Sequence, residues 1–211
     1  YWGGNGFYYI ARVFKSIDGG VNWSIHGAGL PYGSVDVLAI DPTTPTTLYA
    51  GTFDGIFKSA NGGVSWFPAS SGLMNRQVLS LAVNPATPTT VYAGTDRGVF
   101  KSTDGGDTWS PANSGLTESF VPSLSINPAT PTTLYAGTYV GVFKSTDSGA
   151  TWSPASSGLT NSAVLSLAIN PVAPTTMYAG TGGGGVFKSI NGAASSESRL
   201  LNLVLDASGG P

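Results

Sequence analysis

The chain has 211 residues, of which 41% are hydrophobic and only 9% charged, with 30 glycines, 14 prolines and a formal charge of −2. The absence of cysteine and the single histidine, His26, exclude disulfides, thiolate chemistry, cysteine-ligated zinc and multi-histidine metal sites. Nine basic residues scattered singly leave no patch to neutralise phosphates, so nucleic acid is excluded as a partner, and no apolar run approaches the roughly 18 residues that would insert in a membrane.

In chain order, the N-terminus opens at Tyr1 without Met or a signal peptide, as a mature or excised segment would. "FYYI" and "ARVFKS" read as the second and third strands of a unit and "VNWSIH" as a fourth, with no first strand before them. A repeat then emerges. The serines of the "KS" step are Ser16, Ser59, Ser102, Ser145 and Ser189, and "YAGT" recurs at Tyr49, Tyr92, Tyr135 and Tyr178, a period of 43 residues. Residues 98–140 and 141–183 differ at 12 of 43 positions, the mark of duplication.

Each unit holds four short β-like runs, such as "VLSLAIN", "TTLYAGT", "GVFKS" and "TWSPAS", separated by Gly, Pro, Asn, Asp and Thr clusters. No stretch has helical periodicity. Apolar Leu79, Leu81 and Val83 alternate with small Val78, Ser80 and Ala82, so the sheets are expected to pack on both faces. Four antiparallel strands in about 43 residues are the dimensions of a β-propeller blade. The expected fold is all-β, a single domain over 1–211, with five blades at 35–69, 78–112, 121–155 and 164–198 and a first one assembled from 200–206 plus 7–26. "LLNLVLD" at Leu200–Asp206 matches a first-strand pattern and follows "VFKS" too closely to leave a normal fourth strand. It is expected to close the ring on the N-terminal blade and cover free sheet edges.

Between third and fourth strands stands S-x-D-x-G-x-x-W: Ser16, Asp18, Gly20 and Trp23; Ser102, Asp104, Gly106 and Trp109; Ser145, Asp147, Gly149 and Trp152. In Ser59, Asn61, Gly63 and Trp66 an amide replaces the acid, and the last copy has Asn191 and Ser196 in place of acid and tryptophan. The motif resembles the Asp-box of BNR-repeat propellers, a family that includes sialidases and xyloglucan-type glycoside hydrolases. That resemblance implies a structural hairpin away from the functional face. The residues agree independently: Asp and Asn oxygens accept turn N–H groups and Gly adopts backbone angles closed to others, whereas a metal site or catalytic acid would not tolerate Asn61. Asp107, present in one copy, reads as merely solvated. The ring of Lys15, Lys58, Lys101, Lys144 and Lys188 reads as a solubilising edge rather than an anion-binding crown. "NPATPTT" is turn chemistry.

The functional face is expected opposite the boxes, where the units differ from one another. Candidate ligand contacts are Tyr32, Asn75, Glu118 and Asn161 at one aligned position, with Arg76, Gln77 and Phe120 beside them, and Phe53, Asp54, Asp96, Arg97 and Tyr139 from the other loops. Sialidase resemblance implies three substrate-binding arginines, a Tyr–Glu nucleophilic pair and an acidic donor. Here Arg76 and Arg97 are the only arginines on that face, and Tyr139, Glu118, Asp54 and Asp96 form no recognisable motif. The expected function is therefore non-enzymatic: a secreted, periplasmic or surface-exposed binding or scaffold propeller for a glycan or protein partner, with no catalytic residues, metal or cofactor. The alternative is a sialidase-like hydrolase or a fragment of one. A photosystem-assembly propeller is also similar in its repeat.

Overall fold

A computed structural model describes residues 10–73, 77–192 and 198–200, and among them every regular element is a strand. β1 (Val13–Lys15) and β2 (Ser24–His26) form an antiparallel pair, the first sheet. Four sheets of four antiparallel strands follow in chain order. The second holds β3 (Val35–Ile40), β4 (Leu48–Thr52), β5 (Gly55–Ser59) and β6 (Phe67–Pro68). The third holds β7 (Val78–Val83), β8 (Val91–Thr95), β9 (Gly98–Ser102) and β10 (Ser110–Pro111). The fourth holds β11 (Ser123–Ile126), β12 (Leu134–Thr138), β13 (Gly141–Ser145) and β14 (Ser153–Pro154). The fifth holds β15 (Val164–Ile169), β16 (Met177–Thr181), β17 (Gly185–Ser189) and β18 (Ser198–Leu200).

The outermost strands of the middle sheets carry Pro68, Pro111 and Pro154, which the sheet tolerates because an edge residue needs no N–H for a further neighbour. The fifth sheet corrects one expectation. Leu200 pairs with Phe187 on β17, so it belongs to a fourth strand and does not begin a first one. In the preceding sheet Phe143 pairs with Pro154, so the fifth unit spends two more residues in its turn and its outer strand starts later. Residues 201–206, and with them the expected closing strand, lie outside the described residues, as do Phe7 to Tyr9.

The inner strands pack in succession, β3 on β7, β7 on β11 and β11 on β15, and the described residues show no closed ring. The core is layered between sheets. Tyr49, Ile56, Ala69 and Leu73 of the second sheet meet Val78, Val91, Ala93, Phe100 and Trp109 of the third. One repeat later Tyr92, Val99 and Ala112 meet Val121, Leu134, Ala136, Phe143 and Trp152. This explains why β8 and β12 are buried along their whole length: each is covered on both faces, so polar alternation would leave unpaired groups against apolar neighbours.

Polar contacts fasten each junction in a repeated pattern. The Trp109 backbone N–H donates to the Ser71 carbonyl and its indole N–H to the Ala69 carbonyl, both at 2.8 Å; Trp152 does the same to Ser114 and Ala112. Gly72 and Gly115 sit where a Cβ would lie 2.1 and 2.2 Å from the tryptophan carbonyl, at φ of 91° and 82°, so no other residue fits. In the other direction the Tyr49 hydroxyl donates to the Gly105 carbonyl, Tyr92 to Ser148 and Tyr135 to Gly192, each reaching the box of the next sheet. Burial, helped by the charges of Asp41 and Asp107, pushes the Tyr49 phenol up to about 12, so it stays a donor.

The lysines share this junction, which corrects the solubilising-edge reading. Lys101 Nζ donates to the Ser148 carbonyl at 2.9 Å and Lys144 to Gly192 at 3.1 Å, each ammonium standing 5.5 Å from the ring centre of the tyrosine beside it. Lys15 reaches the Gly62 carbonyl, and Lys58 lies 3.7 Å from Asp107, so that aspartate is paired rather than merely solvated. A lysine on a strand facing a neighbouring sheet lays its stem along that sheet and delivers its charge to a carbonyl and a ring face.

Candidate functional site: the variable loops opposite the Asp-box turns

The Asp-box turns are knit from within. Ser102 Oγ donates to Asp104 Oδ1 at 2.7 Å and accepts the Gly106 N–H at 2.8 Å, and Asp104 Oδ1 accepts the Thr108 N–H at 2.9 Å. Asn61 does the same work with its amide oxygen, accepting from Ser59 Oγ at 2.9 Å and the Ser65 N–H at 3.0 Å. Hydrogen bonds from the Thr151 hydroxyl and N–H, and from Ser145, hold the Asp147 carboxyl down to about 2. Asn22, through its N–H and its amide, does so for Asp18, also to about 2; Thr108 puts Asp104 below the usual carboxylate range. These carboxylates are saturated with donors from their own turn, so they serve shape. Among the described residues no group of three His, Asp or Glu side chains could hold a metal ion.

The box lies beside the "NPATPTT" loop: the Gly105 N–H donates to Thr89, Ser148 to Thr132 and Gly192 to Thr175. Those two loop families therefore share one face, and the connections joining second to third strands and successive sheets lie opposite. On that opposite face Tyr32 and Phe53 are 65% and 68% exposed, and Asp54 is exposed on the turn between β4 and β5. Asn161 is absorbed by its own loop, donating to the Gly182 carbonyl at 2.8 Å and accepting the Ala163 N–H at 3.0 Å. Asn75 and Arg76 fall outside the described residues. Gln77 Nε2 reaches Asp36 at 3.4 Å, and its carbonyl accepts the Asp96 N–H at 3.2 Å.

One part of the face gathers several candidates. Arg97 and Glu118 line a cleft of about 320 Å³ with Gly98, Asn113, Leu116, Thr117 and Ser119. The cleft is built by two loops anchored to the sheet: Thr95 Oγ1 accepts the Arg97 N–H, and Asn113 Oδ1 accepts the Val99 N–H. Glu118 Oε1 accepts the N–H groups of Ser119 and Phe120 at 2.7 and 3.1 Å, fixing the loop that carries Phe120. Phe120 then stacks on Tyr139 of the next sheet with ring centres 4.8 Å apart and planes inclined by 28°. Beside Arg97, Asp96 Oδ1 is buried and accepts no hydrogen bond, while Oδ2 lies 4.0 Å from the Arg97 Nε. The structure thus brings Arg97 and Glu118 into one cleft with Asp96 beside Arg97, and separately joins Phe120 and Tyr139. It leaves Tyr32, Phe53, Asp54 and Asn161 apart from that cleft. Asn113 was missed by sequence reasoning although it stands where the neighbouring units have Ser70 and Ser156, a difference visible in the repeat alignment.

The BNR/Asp-box repeat family model matches residues 100–111, the stretch containing Ser102, Asp104 and Trp109. No curated protein matches the sequence. Among solved structures, an ancestral GH74 enzyme is 27% identical with a TM-score of 0.66, over 79% of this chain and 23% of its own. The Niastella koreensis GH74 enzyme is 21% identical with a TM-score of 0.74, over 89% of this chain and 34% of its own. YCF48 bound to D1 peptide is 19% identical with a TM-score of 0.63, over 91% and 66%. The chain thus spans about a quarter to a third of the length of those GH74 enzymes. The chain carries a BNR/Asp-box repeat at residues 100–111, and its array of four-stranded sheets is similar in fold to these β-propeller structures.

Proposed function

We propose that the chain is a non-enzymatic binding propeller, its frame a ring of five blades, and that it holds a glycan in the Arg97–Glu118 cleft beside the Phe120–Tyr139 stack. The observation that carries this reading is the cleft lined by Arg97 and Glu118, where the same Glu118 fixes the loop whose Phe120 stacks on Tyr139. A sugar presents apolar C–H faces to aromatic rings and hydroxyls to charged acceptors and donors, the mixed lining that small-ligand sites require. Glu118 spends a carboxylate oxygen on its own backbone, which suits a positioning role and works against proton donation to a leaving group. The charge-poor, Thr/Ser/Asn/Gly-rich composition supports an extracellular or periplasmic setting.

A glycoside hydrolase is the second reading, favoured by the GH74 likeness and by Glu118 in the cleft with a second carboxylate, Asp96, 4.0 Å from Arg97 of its lining. A glycan array with analysis of each probe after incubation separates the two. Saturable binding without cleavage, weakened at least about tenfold by Phe120→Ala with Tyr139→Ala, is the expected result. Cleavage abolished by Glu118→Gln would establish the hydrolase instead, and silence on all probes would move the ligand class to protein.

A further inference from the structure

One position after the outer strand carries Ser70, Asn113 and Ser156 in three successive units. Each serine closes on a single residue of the strand beside it. Ser70 Oγ accepts the Ile56 N–H at 2.8 Å and donates to the Ile56 carbonyl at 2.9 Å, and Ser156 does the same to Val142 at 2.7 and 3.0 Å. Asn113 keeps only the accepting half. Its Oδ1 takes the Val99 N–H at 2.6 Å, while the Val99 carbonyl is supplied by the Ala112 N–H. Only the oxygen of a carboxamide can accept that N–H, so Nδ2 is the end left over, and it donates to no protein group among the described residues. The amide packs against Gly98, where a Cβ would collide with it, so its direction is fixed.

Asn113 lines the cleft together with Arg97, Leu116, Thr117, Glu118 and Ser119. The one cation there faces two carboxylates, Glu118 and the Asp96 that lies 4.0 Å from Arg97, a balance that disfavours an anionic sugar. The lining therefore calls for a neutral ligand that offers an acceptor to Nδ2 and an apolar group to Leu116. A ring hydroxyl meets the first demand alone. An acetamido group meets both, with a carbonyl for Nδ2, a methyl for Leu116 and an N–H for the hydroxyls of Thr117 or Ser119 or for the Glu118 carboxylate.

We propose that Asn113 is the specificity-determining residue of the cleft and that the glycan it selects carries an N-acetylated amino sugar. This rests on the glycan reading of the cleft and names the sugar class that enters it. A ligand that covers Nδ2 without giving it an acceptor leaves a desolvated donor unpaired, which is how a site of this kind rejects the wrong sugar.

The test titrates triacetylchitotriose and cellotriose, which differ only in acetamido against hydroxyl at each 2-position, into the wild type, Asn113→Ser and Asn113→Asp by calorimetry. The wild type is expected to bind triacetylchitotriose at least about tenfold more tightly. Asn113→Ser, whose hydroxyl turns back on Val99 as those of Ser70 and Ser156 do on their partners, is expected to bring the two sugars within about threefold of each other. Asn113→Asp keeps the acceptor for the Val99 N–H and lacks the donor, so it does the same, and either variant suffices should the other fail to fold. A purely structural role for Asn113 would weaken both sugars alike. A ratio unchanged by the substitutions, or equal binding of the two sugars by the wild type, overturns the proposal and leaves the glycan reading standing. Binding of neither sugar also overturns it, and the glycan reading falls too only if the wider array is silent.

Discussion

At the scale of single residues, the Asp-box divides its labour between an acceptor that shapes the turn and an indole that fastens two sheets. Asn61 shows that charge is dispensable, since it takes the same two donors that Asp104 takes. Asp104→Asn is therefore expected to leave stability at neutral pH little changed, against a loss of about 3–5 kcal/mol for Trp109→Ala, by denaturant unfolding of both variants. The charge still matters in acid. Asp18 and Asp147 are held at about 2 when folded, below the ordinary value of 3.8, so their contribution is complete above about pH 4 and lost as pH falls towards 2. Exchanging Asp18, Asp104 and Asp147 for Asn is expected to flatten the loss of stability between pH 4 and 2, and an unchanged acid profile would refute that role. The box and its turn function were legible in sequence because the motif is contiguous. The lysine role was not, because Lys101 meets Ser148, a carbonyl one unit away whose position depends on how sheets stack.

At the scale of elements, the strand pattern was legible wherever a 43-residue copy existed to compare, and failed at the fifth unit, where the copy decays. The same decay has a packing consequence. A cavity of about 30 Å³ between the fourth and fifth sheets is lined by Val142, Ala155, Leu159, Met177, Ala179 and Phe187. These are the counterparts of Ile56, Ala69, Leu73, Val91, Ala93 and Phe100, the residues that surround Trp109 two junctions earlier. The slot for the indole is thus partly kept in a unit whose motif offers Ser196. The Arg97–Glu118 cleft was half legible: variation among units marked the loops, yet which of them converge depends on the offset between neighbouring sheets, which no local pattern encodes.

At the scale of the whole molecule, contacts run from each sheet to its neighbours, so stability is a sum of units and junctions rather than one indivisible core. Amide exchange is expected to report this directly. Protection should be highest in β8 and β12, whose sheets are flanked on both sides, and lower in β1 and β2; equal protection throughout would contradict a junction-based account. The junctions are also directional, with Tyr49, Tyr92 and Tyr135 pointing forward and Trp66, Trp109 and Trp152 pointing back. A unit inserted or deleted in frame, at any place in the array, would meet partners that already fit, so crossover between copies of the gene can lengthen or shorten the protein without inventing a new interface. The penalty falls on the nascent chain. A fourth sheet differing from its neighbour's sequence at so few positions offers its tryptophan to more than one acceptor, and adjacent units of two growing polypeptides can mistake each other for kin.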